Sequence, residues 1–471
     1  MKAVVGTDSR SGGSLIQSHG SEATGYRSKS HRSSPWAFGK AWWGLGVPGR
    51  LRQYNRRGLK PPATDLDLTA VRRRLVYVLF SGSVLTWLAF VATITVVTLA
   101  ARALSGSTML AGLPLAAGAF GQAMGTNLFG RLSARRGRRF IMLKGSPISA
   151  FGATLELVGV VTGAYWLLVV GAVFVGGGVG AIHLARYTAA ELAESERRGW
   201  ALGLVVWAGM VGSLVGANLV DWVGGMVEDR LGTPYGGAFL LAIVGFLLCW
   251  LIFWAALRPD PSRVAVTTPP GPPVRKSVGS ALRIPAVQVA ILALLSAQAA
   301  MVLVMTTTPL RIEDGGYGLG VVGLVISTHG VGMFAFAPLV GKLVDRIGYL
   351  QALGLGVVMT WGSLIVSGNA PYDGYYLLIA GLFLLGLGWC FCFVAGSSML
   401  FASAPVDVRQ VVEGVADSAT WTTVMLGSVG AGMLMSGIGY GLLNLAAAVP
   451  MLVILLVVLS KPRLRAVLSS Q

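Results

Sequence analysis

The chain has 471 residues, of which 54% are hydrophobic and only 12% are charged, and its mean hydropathy is +0.70. These values exclude an ordinary soluble domain and are typical of a chain that lies mostly in lipid. The formal net charge of +18 could indicate a nucleic-acid partner. With the helices placed as below, however, only three of the 37 lysines and arginines fall on the outer side. The charge therefore indicates basic cytoplasmic loops and not nucleic-acid binding.

Residues 1–74 form a polar tail with 14 lysines and arginines against four acidic residues. Because the tail is poor in apolar residues, we expect it to be a mostly disordered cytoplasmic segment. No apolar run follows Met1, which argues against a cleavable signal peptide. Aromatic and basic residues alternate over 36–57, so this part could lie on the anionic inner leaflet, with plain disorder as the competing interpretation.

The stretch from Asp65 to Thr69 matches the Asp-x-Asp-x-Thr nucleophile loop of aspartate-using phosphatases. That chemistry requires a buried strand before the first acid and a soluble domain around it, and the sequence offers neither. We therefore interpret the stretch as the cap of a helix that begins just before the membrane.

From Leu75 onward, apolar runs alternate with short polar breaks, which predicts membrane-spanning helices. We predict twelve, near 75–101, 108–130, 140–162, 165–188, 200–224, 235–257, 286–310, 318–341, 350–369, 374–401, 411–435 and 438–460. Basic residues before the first helix and after the last place both termini in the cytoplasm. The chain then consists of two six-helix halves, 75–257 and 286–460, a proline-rich cytoplasmic linker, 258–285, and a cytoplasmic tail, 461–471.

Two short basic segments repeat each other at an offset of 211 residues: GRLSARRG, from Gly130 to Gly137, and GKLVDRIG, from Gly341 to Gly348. Each lies where two predicted helices meet in a short loop. The sequence therefore predicts an all-α membrane protein built from two copies of one design. Glycines four residues apart, as in Gly121 and Gly125, predict close helix packing in lipid.

The pattern Gly-x-Leu-x-Asp-Arg-x-Gly between the second and third helices of each half resembles the signature loop of the major facilitator superfamily of secondary transporters. The second copy carries the whole pattern, at Gly341, Leu343, Asp345, Arg346 and Gly348, whereas the first has Ala134 in place of the acid. The resemblance covers about residues 75–460. It implies the twelve-helix fold of that family, alternating access, and a central cavity lined by helices one, four, seven and ten.

Ionisable residues inside apolar runs are costly in lipid, so each is a candidate for function. His183 in helix four is the foremost, because it shares a helix face with Tyr187 and because an imidazole could carry a coupled proton. His329 in helix eight and Glu156 in helix three are further candidates, with space filling and a peripheral position as the competing interpretations. Many proton-driven exporters of the family carry an arginine in the middle of helix four; here Arg186 lies at the cytoplasmic end.

Two polar stripes, on helices one and seven, are predicted to line the cavity. Their residues are Ser83, Thr86, Phe90 and Thr93 on helix one and Gln298, Met301, Met305 and Thr308 on helix seven. Such a lining suits an uncharged or amphipathic organic solute. The alternative is that the stripes only hold helices together.

By resemblance, the two basic segments and two acids of helix eleven form an inner gate. Its predicted residues are Gly130, Arg135, Gly137, Gly341, Asp345, Arg346, Gly348, Glu413 and Asp417. We expect Glu413 and Asp417 to pair with Arg135, Arg136 or Arg346 when the gate is closed.

The sequence therefore predicts a multi-pass transporter of the bacterial inner membrane that moves a small organic solute, with proton-coupled export as the expected mode. Facilitated diffusion and symport are the alternatives, and a transporter-like receptor or membrane scaffold is the alternative from another class. No nucleophile, base and orienting group can be placed together, so no enzyme is expected. The three cysteines lie in apolar runs, so no cofactor or metal is expected either. The expected partners are the solute, a proton and the lipid bilayer, and the protein is expected to be a monomer.

Overall fold

The computed structural model describes residues 65–107, 110, 112–266, 277–317, 319–372 and 374–460, and these residues form helices, turns and bends without a strand. The predictions for residues 1–64, for the aromatic and basic stretch 36–57, for residues 267–276 of the linker and for the tail 461–471 concern residues outside this description.

The first half contains six long helices. They are α1 (Asp65–Ser105), α2 (Leu113–Arg136), α3 (Arg138–Thr162), α4 (Tyr165–Leu192), α5 (Arg198–Leu231) and α6 (Gly236–Ala256). An interruption at Leu184 divides α4 into Tyr165–His183 and Ala185–Leu192. Helix α1 begins before the predicted residue 75, since its first turns carry no glycine or proline and Arg72 donates to the carbonyl oxygen of Val264 at 2.7 Å.

The second half contains the matching set. Its helices are α7 (Pro285–Asp314), α8 (Leu319–Phe334 and Ala337–Ile347), α9 (Tyr349–Gly368), α10 (Tyr375–Ser403), α11 (409–438) and α12 (440–460). Helices α11 and α12 are continuous apart from Gly439, whose φ of 73° and ψ of 173° are not helical. The described parts of the predicted linker include two short helical turns, Pro261–Val264 and Val278–Ala281.

Among the described residues, ten helices are long and apolar enough to cross a membrane. Helices α2 and α11 are not among the ten, because their apolar residues are interrupted by amide and hydroxyl side chains such as Gln122 and Thr420. Both nevertheless pack inside the molecule, where α2 contacts α4 and α11. The crossing of the membrane by all twelve helices and the cytoplasmic position of both termini stay predictions.

The two basic segments have nearly the same backbone. Gly137 has φ 87° and ψ 167°, and Gly348 has φ 88° and ψ 165°. This conformation is almost confined to glycine. The predicted loops are, however, too long, because α2 continues to Arg136 and α8 to Ile347, which leaves one glycine as the whole turn. Basic side chains at the end of a helix favour this extension through the helix dipole.

Helices approach closely in the first half because glycines face backbone atoms. A Cβ atom on Gly121 would overlap Val173, and one on Gly125 would overlap Gly177, so α2 and α4 meet backbone to backbone. The predicted glycine contact is thus confirmed for α2.

The two halves meet at the end of the molecule that holds Gly137 and Gly348, which we call the closed end. There α2 packs against α11, and α5 packs against α8. Gly130 lies against Gly414, and Gly199 lies against Gly341. These contacts seal one end of the space between the halves and position the cavity described next.

Candidate functional site

A cavity of about 420 Å³ lies between the two halves. The first, fourth, seventh and tenth helices contribute to its wall, together with α5, α8 and α11. Six aromatic rings dominate the lining: Trp87, Phe90, Phe334, Trp389, Phe393 and Trp421. Gly330 borders open space, since no atom lies within 4 Å of a Cβ built on it. The site is therefore a largely aromatic chamber of the size that suits a small organic molecule.

Most of the predicted cavity residues lie in the wall. These are Thr86, Phe90, His183, Gln298, Met301, Met305 and His329, as well as Ser83. Three do not. Thr93 donates to the carbonyl oxygen of Phe90 at 2.9 Å, and Glu156 is buried against Gly171 between α3 and α4. Tyr187 is displaced because the interruption at Leu184 changes the helix register, so that Arg186 lines the cavity in its place.

Thr308, the last residue of the helix-seven stripe, also lies away from the cavity. Its hydroxyl is 3.1 Å from that of Tyr440 and donates to the carbonyl oxygen of Val304 at 2.8 Å. For this residue the packing alternative describes the observed contacts.

His183 lies between two tryptophans. Its ring centroid is 5.3 Å from that of Trp87 in α1, and 5.5 Å from that of Trp421 in α11. Trp87 also contacts Phe334 of the second half, with centroids 5.2 Å apart. The imidazole is therefore one ring in a series of packed aromatic rings that runs from the first half to the second.

His329 is the second histidine in the wall. Its Nδ1 lies 2.8 Å from the carbonyl oxygen of Leu382, which fixes the ring against α10. The ring is thereby tied to the second half, as expected of a histidine that fills space between helices.

An ion pair between Arg186 and Asp417 lies in the cavity wall, on the side that faces the closed end. The guanidinium also donates to the Tyr187 hydroxyl at 3.0 Å and to the Ser397 hydroxyl at 3.3 Å. Both charged side chains are about 95% buried. Since Arg186 belongs to the first half and Asp417 to the second, this pair ties the halves together inside the cavity.

A second ion pair lies closer to the closed end. Arg138, the first residue of α3, contacts both Glu413 and Glu191 at 2.7 Å, and Arg138 and Glu413 are fully buried. The expected partners of Glu413 and Asp417 were wrong. Arg135, Arg136 and Arg346 are exposed at the ends of α2 and α8, where the last helical turn points them away from the interface.

Asp345 closes the interface between α5 and α8. Its carboxylate accepts from the backbone N–H groups of Gly199 at 2.8 Å and Trp200 at 2.9 Å, the second and third residues of α5. A carboxylate at a helix N-terminus is stabilised by the free N–H groups and by the helix dipole. Gly130, Gly341 and Asp345 therefore lie where the halves touch.

Sequence reasoning underrated Arg186 and missed Arg138, Trp389 and Trp421. Arg186 was placed at the cytoplasmic end because it follows a long apolar run, and Arg138 was hidden in a basic cluster whose other members are exposed. Asp417 was predicted in the inner gate with a cation from another helix as its partner, and the structure supplies that cation as Arg186. Among the described residues, no group of three His, Cys, Asp or Glu side chains could hold a metal ion.

The family model for the Major Facilitator Superfamily matches residues 79–321 and 312–470. An uncharacterized MFS-type transporter of Bacillus subtilis (strain 168), YddS, is 31% identical over 375 residues, which are 78% of this chain and 86% of YddS. The riboflavin transporter RfnT of Brucella anthropi is 26% identical over 350 residues, which are 74% of this chain and 85% of RfnT.

Solved structures of the same fold include the proton:xylose symporter XylE, with a TM-score of 0.66, 15% identity, and coverage of 82% of this chain and 95% of that one. A bacterial homologue of the iron transporter ferroportin in an outward-facing state has the same TM-score and identity and covers 82% and 98% of the two chains. At such identities the structures show the fold alone. The family model and YddS go further, and on them this chain belongs to the major facilitator superfamily of membrane transporters.

Proposed function

We propose that this transporter moves a neutral or amphipathic aromatic solute through the cavity between its halves. The observation that carries the proposal is the set of six aromatic rings around a space of about 420 Å³. Aromatic walls bind flat rings by stacking and by removing apolar surface from water. The two charged side chains in the described wall, Arg186 and Asp417, neutralise each other, which disfavours an ionic solute. The riboflavin transporter among the relatives supports the same class of solute.

We further propose proton-coupled export from the cytoplasm, with Asp417 as the group that takes the proton. Asp417 is the one acid among the described residues of the wall. Its Oδ1 binds Arg186, while its Oδ2 has no partner among the described residues. Protonation would remove the negative charge from a pair that joins the halves, and the halves could then separate at the closed end. Arg186 and Tyr187 from α4 are the titratable groups that interact with this carboxyl among the described residues, and Glu413 from α11 interacts with Tyr187.

Charge supports one membrane orientation. The basic residues of the closed end favour a cytoplasmic position for it, and we propose that the two six-helix halves cross the inner membrane of a bacterium twelve times in total. In this orientation the cavity is closed toward the cytoplasm, and export requires a second state in which the closed end has opened. The two halves, the linker and both tails keep their predicted borders in this proposal.

Transport by purified protein in proteoliposomes tests both parts. The vesicles contain a pH-sensitive dye, and riboflavin and neutral tricyclic dyes serve as solutes. Wild type is expected to move both solute and protons, and Asp417→Asn is expected to lose the proton movement. Asp407→Asn is the matched control, because Asp407 is an exposed acid near the start of the same helix.

The outcomes separate the alternatives. Solute movement without protons in wild type would overturn the coupling and leave a facilitative carrier. No movement of any aromatic solute by folded protein would overturn the solute class. Proton movement that persists in Asp417→Asn would exclude this carboxyl as the proton site.

A further inference from the structure

We infer that Gln298 selects solutes whose aromatic ring carries a hydrogen-bond acceptor at its edge, and that Trp389 sets this preference by holding the amide in one orientation. The inference rests on the proposed function and narrows it. The expected class is a neutral, planar ring system with a ring carbonyl or an unprotonated ring nitrogen. Rings that carry only N–H donors are expected to bind less tightly.

The orientation of the Gln298 amide follows from the chemistry of its partner. The indole Nε1 of Trp389 lies 3.0 Å from Oε1 of Gln298. An indole N–H can only donate, so the amide atom that faces it must be the carbonyl oxygen. The amide nitrogen is then turned away from Trp389. No described residue accepts a hydrogen bond from it, and Gln298 is part of the cavity wall.

The packing around Trp389 prevents its indole ring from rotating together with the Gln298 amide. Its ring stacks on Phe393 with centroids 4.4 Å apart and planes at 13°. Phe334 packs against it edge-on, at 5.9 Å and 75°. Trp389 and Gln298 are each only 6% exposed. A rotation of the amide by 180° would place its NH₂ group against the indole N–H, which would leave two donors facing each other.

Several polar groups of the wall already use their donors, whereas Ser83 Oγ and His183 Nε2, which also belong to wall residues, have no partner among the described residues. The hydroxyls of Thr86 and Thr420 donate to carbonyl oxygens one turn earlier in their helices, at 2.9 and 3.0 Å. Arg186 is engaged by Asp417, and His329 is bound to the carbonyl oxygen of Leu382. Gln298 is the one amide side chain among the described lining residues. A solute that stacks in the aromatic chamber therefore meets one oriented N–H₂ group.

The test compares two neutral tricyclic probes that differ in this respect. Acridone has a ring carbonyl and an N–H group, whereas carbazole has an N–H group alone. Binding to the full-length protein in nanodiscs is followed by fluorescence, with empty nanodiscs as the background. Wild type is expected to bind acridone about tenfold more tightly than carbazole, the factor expected of one good hydrogen bond.

Two variants distinguish selection of the solute by the Gln298 amide from a role of Gln298 in packing alone. Gln298→Met has nearly the same shape but no donor, and it should reduce the preference to near one through weaker acridone binding. Trp389→Phe keeps a stacked ring but releases the amide, so the preference should fall to about threefold as both amide orientations become populated. Gln288→Met is the matched control, because Gln288 is an exposed glutamine on the same helix.

Equal binding of both probes to wild type would overturn the inference and leave the aromatic solute class intact. An unchanged preference in Gln298→Met would also overturn it, because the amide would then only support Trp389. Absence of binding by either probe would overturn the proposed solute class itself, and the inference with it. Should Gln298→Met fail to fold, Trp389→Phe alone decides, since an unchanged tenfold preference there contradicts the role of the indole.

Discussion

Arg138 and Glu413 contact each other at 2.7 Å although both side chains are fully buried. This pair joins the first residue of α3 to the beginning of α11, and it therefore connects the two halves of the transporter. Removing one member of a buried pair leaves an uncompensated charge, which is strongly destabilising for the state that contains the pair. The closed end is therefore sensitive to single charge changes.

The first prediction concerns Glu413→Gln, which keeps the shape and removes the charge. The charge-assisted hydrogen bond that is lost is worth roughly 1.5–3 kcal/mol, so the population open at the closed end should rise by about tenfold or more. Spin labels on cysteines introduced at the exposed positions of Arg135 and Val406 should show the open population as a second, longer distance in pulsed electron paramagnetic resonance. The three cysteines are buried, which favours selective labelling at the two introduced sites.

The control for this measurement is Glu194→Gln, an exposed acid at the end of the same interface. It should leave the distance distribution as in wild type. If Glu413→Gln shows the wild-type distribution as well, the ion pair does not hold the closed end.

The second prediction concerns Arg186→Lys, which keeps the charge. The guanidinium donates to Asp417, Tyr187 and Ser397 at the same time, and a lysine ammonium cannot reproduce that planar fork. We expect the initial rate of solute transport in proteoliposomes to fall at least about tenfold, the effect of losing one such bond. Arg131→Lys, at an exposed position of α2, should transport at the wild-type rate. A wild-type rate in Arg186→Lys would show that charge alone suffices.

The third prediction separates the two roles considered for His183. Because its ring lies between Trp87 and Trp421, an aromatic replacement should preserve the series of packed rings and a small one should not. We expect His183→Phe to retain solute and proton movement, and His183→Ala to lose solute transport by about tenfold through the cavity that it creates. Loss of proton movement in His183→Phe with solute movement intact would assign the proton to the imidazole after all.

The fourth prediction concerns Gly137→Ala. At φ 87° and ψ 167° a side chain is strained by about 1–3 kcal/mol, and the new Cβ would also lie 2.6 Å from the Asp260 carboxylate. The unfolding temperature in detergent, measured by scanning fluorimetry, should fall. Gly354→Ala is the comparison, because Gly354 lies inside α9 with open space around it. Equal unfolding temperatures for the two variants would contradict the strain argument.

The sequence predicted the helical repeat well, because the hydropathy pattern is local and the twin glycines at 137 and 348 mark corresponding turns. It also placed His183 and Gln298 in the cavity wall, since polar side chains on an apolar helix are costly in lipid and turn toward the interior of the bundle. The partners of Glu413 and Asp417 could not be predicted in the same way. Which arginine reaches an acid depends on the rotation of helices that lie far apart in sequence, and a cluster such as 135–139 offers several candidates of equal charge.

The prediction for Tyr187 failed for a related reason. A regular helix would have placed it on the face of His183, but the interruption at Leu184 rotates the following residues and brings Arg186 to the cavity instead. The interruption could not be predicted from the sequence, because no glycine or proline lies at residues 182–186.

The two contacts that hold the closed end differ in how they tolerate mutation. Asp345 binds backbone N–H groups, so the side chain at position 200 takes no part in the contact and can change while the helix start is kept, with proline as the clear exception. Position 199 is confined to glycine, because a Cβ there would lie 2.6 Å from the carbonyl oxygen of Gly341 and 2.7 Å from the Asp345 carboxylate. Arg138 needs the side chains of Glu191 and Glu413, so a change at any of three positions breaks it. The two contacts therefore carry unequal evolutionary freedom: the Arg138 contact depends on three fixed side chains drawn from both halves, whereas the Asp345 contact needs one carboxylate in the second half and free backbone N–H groups at a helix start in the first.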